Sequence, residues 1–196
     1  MYRNLQHLPN VRSQERSIKM NSIVSWAAIL TLFLLNQSLS EVGADLISDS
    51  CAKTRNNDLC VTSLRSDPRS ASATDTKGLT RIIYDLVLSS ATDTLAQVKT
   101  LLNGATDPTL INSLNLCSDG YTSTIFDKIP NALKNLDSNV IVTAASLISD
   151  GMFQAQICEK SFSSIGPEIR TSPITDKNTK VIDLSDIALR LTASLG

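Results

Sequence analysis

"LTRIIYDLVLSSATDTLAQVKTLLNG", residues 79–104, decides the fold. Apolar side chains recur at Leu79, Ile82/Ile83, Leu86/Val87, Leu95, Val98 and Leu101/Leu102, with the small Ser90 filling the missing step. Steps of three and four residues place them on one face of a helix, whereas a half-buried strand alternates at every second residue. Asn103-Gly104 stops the segment, since both residues tolerate the left-handed backbone that closes helices.

The same period continues downstream. Asp107-Pro108 opens a second helix, with Asp as N-cap and Pro at the first helical position. Its stripe runs Leu110, Leu114, Cys117, Tyr121, Ile125, Ile129, Leu133 and Leu136, so Cys117 sits on the buried face. Asp137-Ser138 separates it from a third segment, Asn139 to Phe162, with Ile141, Ala144/Ala145, Ile148, Met152, Ala155, Cys158 and Phe162 in helical register. "SSIGPEIRTSPIT" (163–175), with two prolines and a glycine, reads as a loop. The last segment, Asp176 to Leu195, aligns Val181, Leu184, Ile187/Ala188, Leu191 and Leu195. Four amphipathic helices with short connections predict an all-α fold, an up-down-up-down four-helix bundle. Three residues sit badly in it. Gly120 and Gly151 fall inside helices and read as tolerated local irregularities, and Pro130 is expected to kink the second helix or end it early.

The compartment follows from the N-terminus. Ile23 to Leu35, "IVSWAAILTLFLL", is an apolar run of 13 residues preceded by Arg12, Arg16 and Lys19 and followed by the small residues of Val42-Gly43-Ala44. That order describes a cleaved secretory signal peptide over residues 1–44; a spanning helix needs about 20 apolar residues. Met20 is a second candidate start. Removing residues 1–44 takes four of the 18 basic and two of the 19 acidic side chains, leaving 14 and 17, a net of −3. A mildly acidic chain without charge runs does not suit nucleic acid, and once the signal is removed no segment suits a membrane.

Cleavage also removes His7 and Trp26, the only His and the only Trp. Without His, neither a Ser-His-Asp nor a Cys-His nucleophile can be assembled, nor an imidazole zinc site. No Gly-rich phosphate loop is present. Composition therefore points away from an enzyme and implies no cofactor and no metal.

The four cysteines, Cys51, Cys60, Cys117 and Cys158, all lie in the secreted part, separated by eight, 56 and 40 residues. These spacings suit neither zinc nor a redox CxxC, and an even count in an oxidising compartment reads as disulfides. Three pairings are possible. Joining Cys51 to Cys60 would close a small hairpin. Joining Cys117 to Cys158 would staple two distant helices.

Six motifs together resemble the plant invertase and pectin methylesterase inhibitors. They are "DLISDSCAKTRNNDLC" (45–60), "SLRSDPRSAS" (63–72), "KGL" (77–79), "ATDP" (105–108), "CSDGY" (117–121) and "CEKSF" (158–162). The first two look most like the pectin methylesterase inhibitor branch. The resemblance covers residues 45–195 and implies a disulfide-closed N-terminal helical hairpin (45–75) before the four-helix bundle (76–195). It implies the pairs Cys51–Cys60 and Cys117–Cys158, and a hairpin that extends beyond the bundle, held rigid by its disulfide. It implies a secreted, apoplastic protein that is no enzyme but occludes the active-site cleft of pectin methylesterase. The alternatives it leaves are inhibition of an acid invertase and a non-inhibitory, pollen-allergen-like role.

Partner contacts are likewise implied by the resemblance. Asp119, Tyr121 and Ser123 fall where the inhibitors meet their enzyme, with Ser123 and Phe126 at places often held by acids and Lys160 replacing another. The Pro-Lys-Phe tripeptide of the invertase branch is replaced here by Ile141-Val142-Thr143.

Overall fold

A computed structural model describes residues 46–163 and 171–196. The expected signal segment, residues 1–44, lies outside the described residues. Residues 46–51 are helical (α1) and are followed by α2 (Asn57–Ser66), a 3-10 turn (Pro68–Ser72) and α3 (Thr76–Gly104). Then come α4 (Pro108–Ser123), a π-helical turn (Thr124–Lys128), α5 (Ile129–Asp137), α6 (Ile141–Ser163) and α7 (Thr175–Ala193). No strand occurs among the described residues. None of their helices is long and apolar enough to cross a membrane.

Acids and amides start the helices by satisfying the first free N–H groups. Asp75 accepts from the Gly78 N–H at 2.8 Å, Asp107 from Thr109 at 2.9 Å, and Asn56 from Leu59 at 3.3 Å. Around the bundle the order is α3, α4/α5, α6, α7 and back to α3, so helices consecutive in sequence are neighbours in space. Leu79, Ile83, Leu114, Ile129, Leu136, Ile148, Leu184 and Ile187 are buried between them.

Pro130 does not end its helix. Lacking an N–H, a proline inside a helix forfeits one bond and crowds the carbonyl four residues back. The chain answers with the π turn just ahead of it, where the Ile129 N–H reaches back five residues to the Thr124 carbonyl. Helical structure then resumes as α5. The two helix-interior glycines are packing sites rather than irregularities. A Cβ on Gly120 would stand 3.0 Å from Gln154 Oε1, and one on Gly151 would stand 3.2 Å from Thr124 Cγ2. With the Ser113 hydroxyl bonded to the Ser161 carbonyl, these contacts give α4 and α6 an antiparallel register. At that close approach Cys117 and Cys158 are disulfide-bonded, with Cα atoms 4.7 Å apart.

Cys51 and Cys60 are joined as well, closing the α1–α2 hairpin. The hairpin, expected to extend beyond the bundle, instead lies against α3 and α7. Ile47, Cys51, Cys60 and Leu64 are buried in the same core as the bundle helices. The reason is area, because two short helices bury too little surface alone and gain more by sharing a core. A polar clasp holds the following turn. The Arg69 guanidinium bonds Asp67 at 2.7 Å and, on α3, Asp85 at 2.5 Å. At the start of α3 Lys77 Nζ donates to the Asp137 carbonyl at 3.1 Å and to Asn139 Oδ1 at 2.7 Å. Asn139 takes the left-handed backbone, φ 59°, that terminates α5, and Arg81 pairs with Asp137 beside it.

Candidate functional site

The residues singled out on α4 separate by helical geometry. Asp119 lies two positions after Cys117 and is therefore turned about 200° from it. Cys117 is buried and Asp119 is exposed. Ser123 is half-buried on the same helix. Tyr121 belongs elsewhere. It is 1% exposed, and its hydroxyl donates to Asn178 Oδ1 on α7 at 2.5 Å. Burial pushes its phenol well above the ordinary value, and the Glu159 charge adds to this against a hydrogen bond with Thr94. Tyr121 is a core side chain, so the expectation that it meets a partner is corrected: a ring enclosed by α4 and α7 has no surface to offer.

The polar group that receives Tyr121 is a helix-docking network. Asn178 Nδ2 donates to Glu159 Oε2 at 2.5 Å, and Thr175 Oγ1 donates to Glu159 Oε1 at 2.6 Å. The Glu159 carboxylate thus anchors the first turn of α7 to α6, next to the Cys117–Cys158 bridge.

The segment from α4 to α6, which carries Asp119, also leaves large apolar side chains exposed. The large hydrophobic side chains left exposed among the described residues are Leu116, Phe126, Val140, Val142 and Phe153, at 44–84%. All five fall between α4 and α6, and none on α1, α2, α3 or α7. Acids are interspersed. Asp127 is held below the usual carboxylate range by the neighbouring Lys128 ammonium, which lies 2.9 Å away. The Lys128 ammonium is itself raised, mainly by Asp127 and additionally by Asp150 on α6. An apolar face carrying acids suits docking against another macromolecule.

The described residues hold no histidine and no cluster of metal-ligating side chains, and all four cysteines are oxidised. Leu116, Val142 and Phe153 escape a reading built on buried stripes because they fall off it. A search for large apolar residues outside the predicted buried face would have found them.

Comparison with known proteins agrees with this picture. The chain is 40% identical over 147 residues to a pectinesterase inhibitor of Actinidia deliciosa, covering 74% of this chain and 76% of that one. It is 29% identical over 142 residues to the cell wall / vacuolar inhibitor of fructosidase 1 of Arabidopsis thaliana, covering 72% and 65%. The fold matches the crystal structure of a mutant pectin methylesterase inhibitor from Arabidopsis with a TM-score of 0.63, at 23% identity, over 74% of this chain and 94% of that one. The plant invertase/pectin methylesterase inhibitor profile matches residues 45–191. The chain belongs to the plant invertase/pectin methylesterase inhibitor family, whose members are inhibitors of enzymes and not enzymes themselves.

Proposed function

We propose that this protein is secreted, with residues 1–44 removed, and inhibits a plant pectin methylesterase outside the cell. The observation that carries the reading is the 40% identity to a pectinesterase inhibitor, against 29% for the fructosidase inhibitor. The exposed apolar side chains of the α4–α6 side supply the surface. Leu116, Phe126 and Phe153 lose water on contact, and Asp119 accepts hydrogen bonds from polar groups rimming the enzyme's cleft. Occlusion of this kind needs no cofactor or metal.

Titrating the purified protein against a pectin methylesterase and an acid invertase at mildly acidic pH tests the proposal. Saturable inhibition of the methylesterase with the invertase untouched is expected. Inhibition of the invertase alone would overturn it in favour of the other branch. Inhibition of neither would overturn it in favour of a non-inhibitory family member.

A further inference from the structure

The seam between α3 and α7 lies diagonally opposite the α4/α6 seam. The docked hairpin covers it and leaves a cleft of about 290 Å³. Leu59, Leu86 and Leu184 give the cleft an aliphatic floor. Its polar lining comes from three helices: Thr62 and Ser63 on α2, Ser89, Ser90 and Asp93 on α3, and Lys180 on α7. Two features set it apart from an ordinary groove. Ser90 is 7% exposed overall, and its hydroxyl, unbonded to any other described residue, is open to the cleft. Asp93 and Lys180 stand exposed at the same cleft, and neither side chain is paired with another described group.

We propose that this cleft binds a neutral sugar unit. Asp93 only accepts hydrogen bonds, Lys180 only donates, and the serine and threonine hydroxyls do either. A sugar ring presents several hydroxyls that both donate and accept, and a C–H face that suits a leucine floor. One negative and one positive side chain leave the lining without net charge. A sugar hydroxyl can donate to Asp93 while another accepts from Lys180, whereas a phosphate or carboxylate that pairs with Lys180 is repelled by Asp93, and a cation that pairs with Asp93 is repelled by Lys180. The volume is at the lower end of ligand clefts and matches one or two rings rather than a longer chain. A free sugar and the end of a wall polysaccharide share this chemistry. The site goes beyond the inhibitory reading, for it involves neither the α4–α6 face nor the identity of the target enzyme.

Saturation-transfer NMR on the purified protein tests it, using galactose, glucose and a neutral galacto-oligosaccharide at tens of millimolar, with galacturonate as the charged comparison. Saturable transfer from the neutral sugars is expected, with galacturonate severalfold weaker. Transfer from the oligosaccharide alone also supports the site and identifies a chain end as the source. Ser63→Trp, which fills the cleft, should abolish the signal. Asp93→Asn and Lys180→Ala, both at exposed positions and safe for folding, should each weaken it severalfold without moving the melting temperature. No saturable transfer from any neutral sugar, galacturonate binding as tightly as they do, or a signal that survives all three substitutions would overturn the proposal.

Discussion

Replacing Tyr121 by Phe removes one oxygen atom from the centre of the bundle. The hydroxyl is enclosed and donates at 2.5 Å to Asn178 Oδ1, on a residue that is itself fully buried. Without it the Asn178 oxygen loses that donor, while Asn178 Nδ2 stays committed to Glu159. Leaving a buried acceptor unsatisfied costs about 1–3 kcal/mol. In a domain of this size each kcal/mol moves the melting temperature by about 2–4 °C, so a fall of roughly 2–12 °C is expected. Circular-dichroism melts measure it, with the inhibition constant determined in parallel well below the transition.

The inhibition constant should not move, because the ring touches no partner. A second readout comes from base. Burial raises the Tyr121 phenol above its ordinary value of 10.0, so the folded chain holds this proton more tightly than the unfolded chain does. The resulting stabilisation is complete below pH 10.0 and is lost as pH rises toward the folded value. In Tyr121→Phe that alkaline loss shrinks, leaving the smaller contribution of Tyr84, which is also raised by burial. An unchanged melting temperature together with weakened inhibition would refute the reasoning and return Tyr121 to the interface.

Asp119→Ala should show the opposite pattern, inhibition of the target methylesterase weakened about tenfold or more with an unchanged melting temperature, since truncating a charge desolvated on binding costs about 2–5 kcal/mol. Equal inhibition constants for the two proteins would make Asp119 an ordinary solvated acid. Replacing Cys117 and Cys158 by Ala should cost on the order of 1 kcal/mol more than replacing Cys51 and Cys60. The reason is loop entropy over sequence separations of 41 and 9, about 4 against about 2.7 kcal/mol, and urea unfolding of the two double variants measures the difference. Arg69 holds the Asp67 carboxyl below its ordinary 3.8, so their pairing stabilises the fold above that pH and fades as pH falls below it. Arg69→Ala should therefore be less stable at neutral pH and converge on the parent in strong acid; urea midpoints that differ by a constant amount across the range would contradict this.

Helix positions and buried faces were legible because both are local. Asp107-Pro108 begins α4, α3 ends at Gly104 although through an extended Ala105 rather than the expected left-handed residue, and the residues at steps of three and four form the core. Periodicity even placed Tyr121 on the buried stripe, and the structure agrees with the period rather than with the partner role that the resemblance implied. Pro130 was legible as a disturbance but not as a π turn, because the sequence marks the missing N–H but not which neighbouring turn widens to accommodate the ring. Gly120 and Gly151 gave no local reason for their presence. That reason is a side chain of a neighbouring segment, Gln154 against Gly120 and Thr124 against Gly151, a few ångströms away.

The hairpin's place was likewise undetermined: the resemblance implied that it closes on itself, but nothing in its sequence says that Ile47 and Leu64 gain more by joining the core beside α3 and α7. The apolar α4–α6 surface and the hydroxyl-lined cleft on the opposite side are also products of assembly. A helix's own sequence fixes which of its faces is apolar. Which face a neighbour covers, and which it leaves to water or a partner, is settled only when all the helices compete for the same buried area.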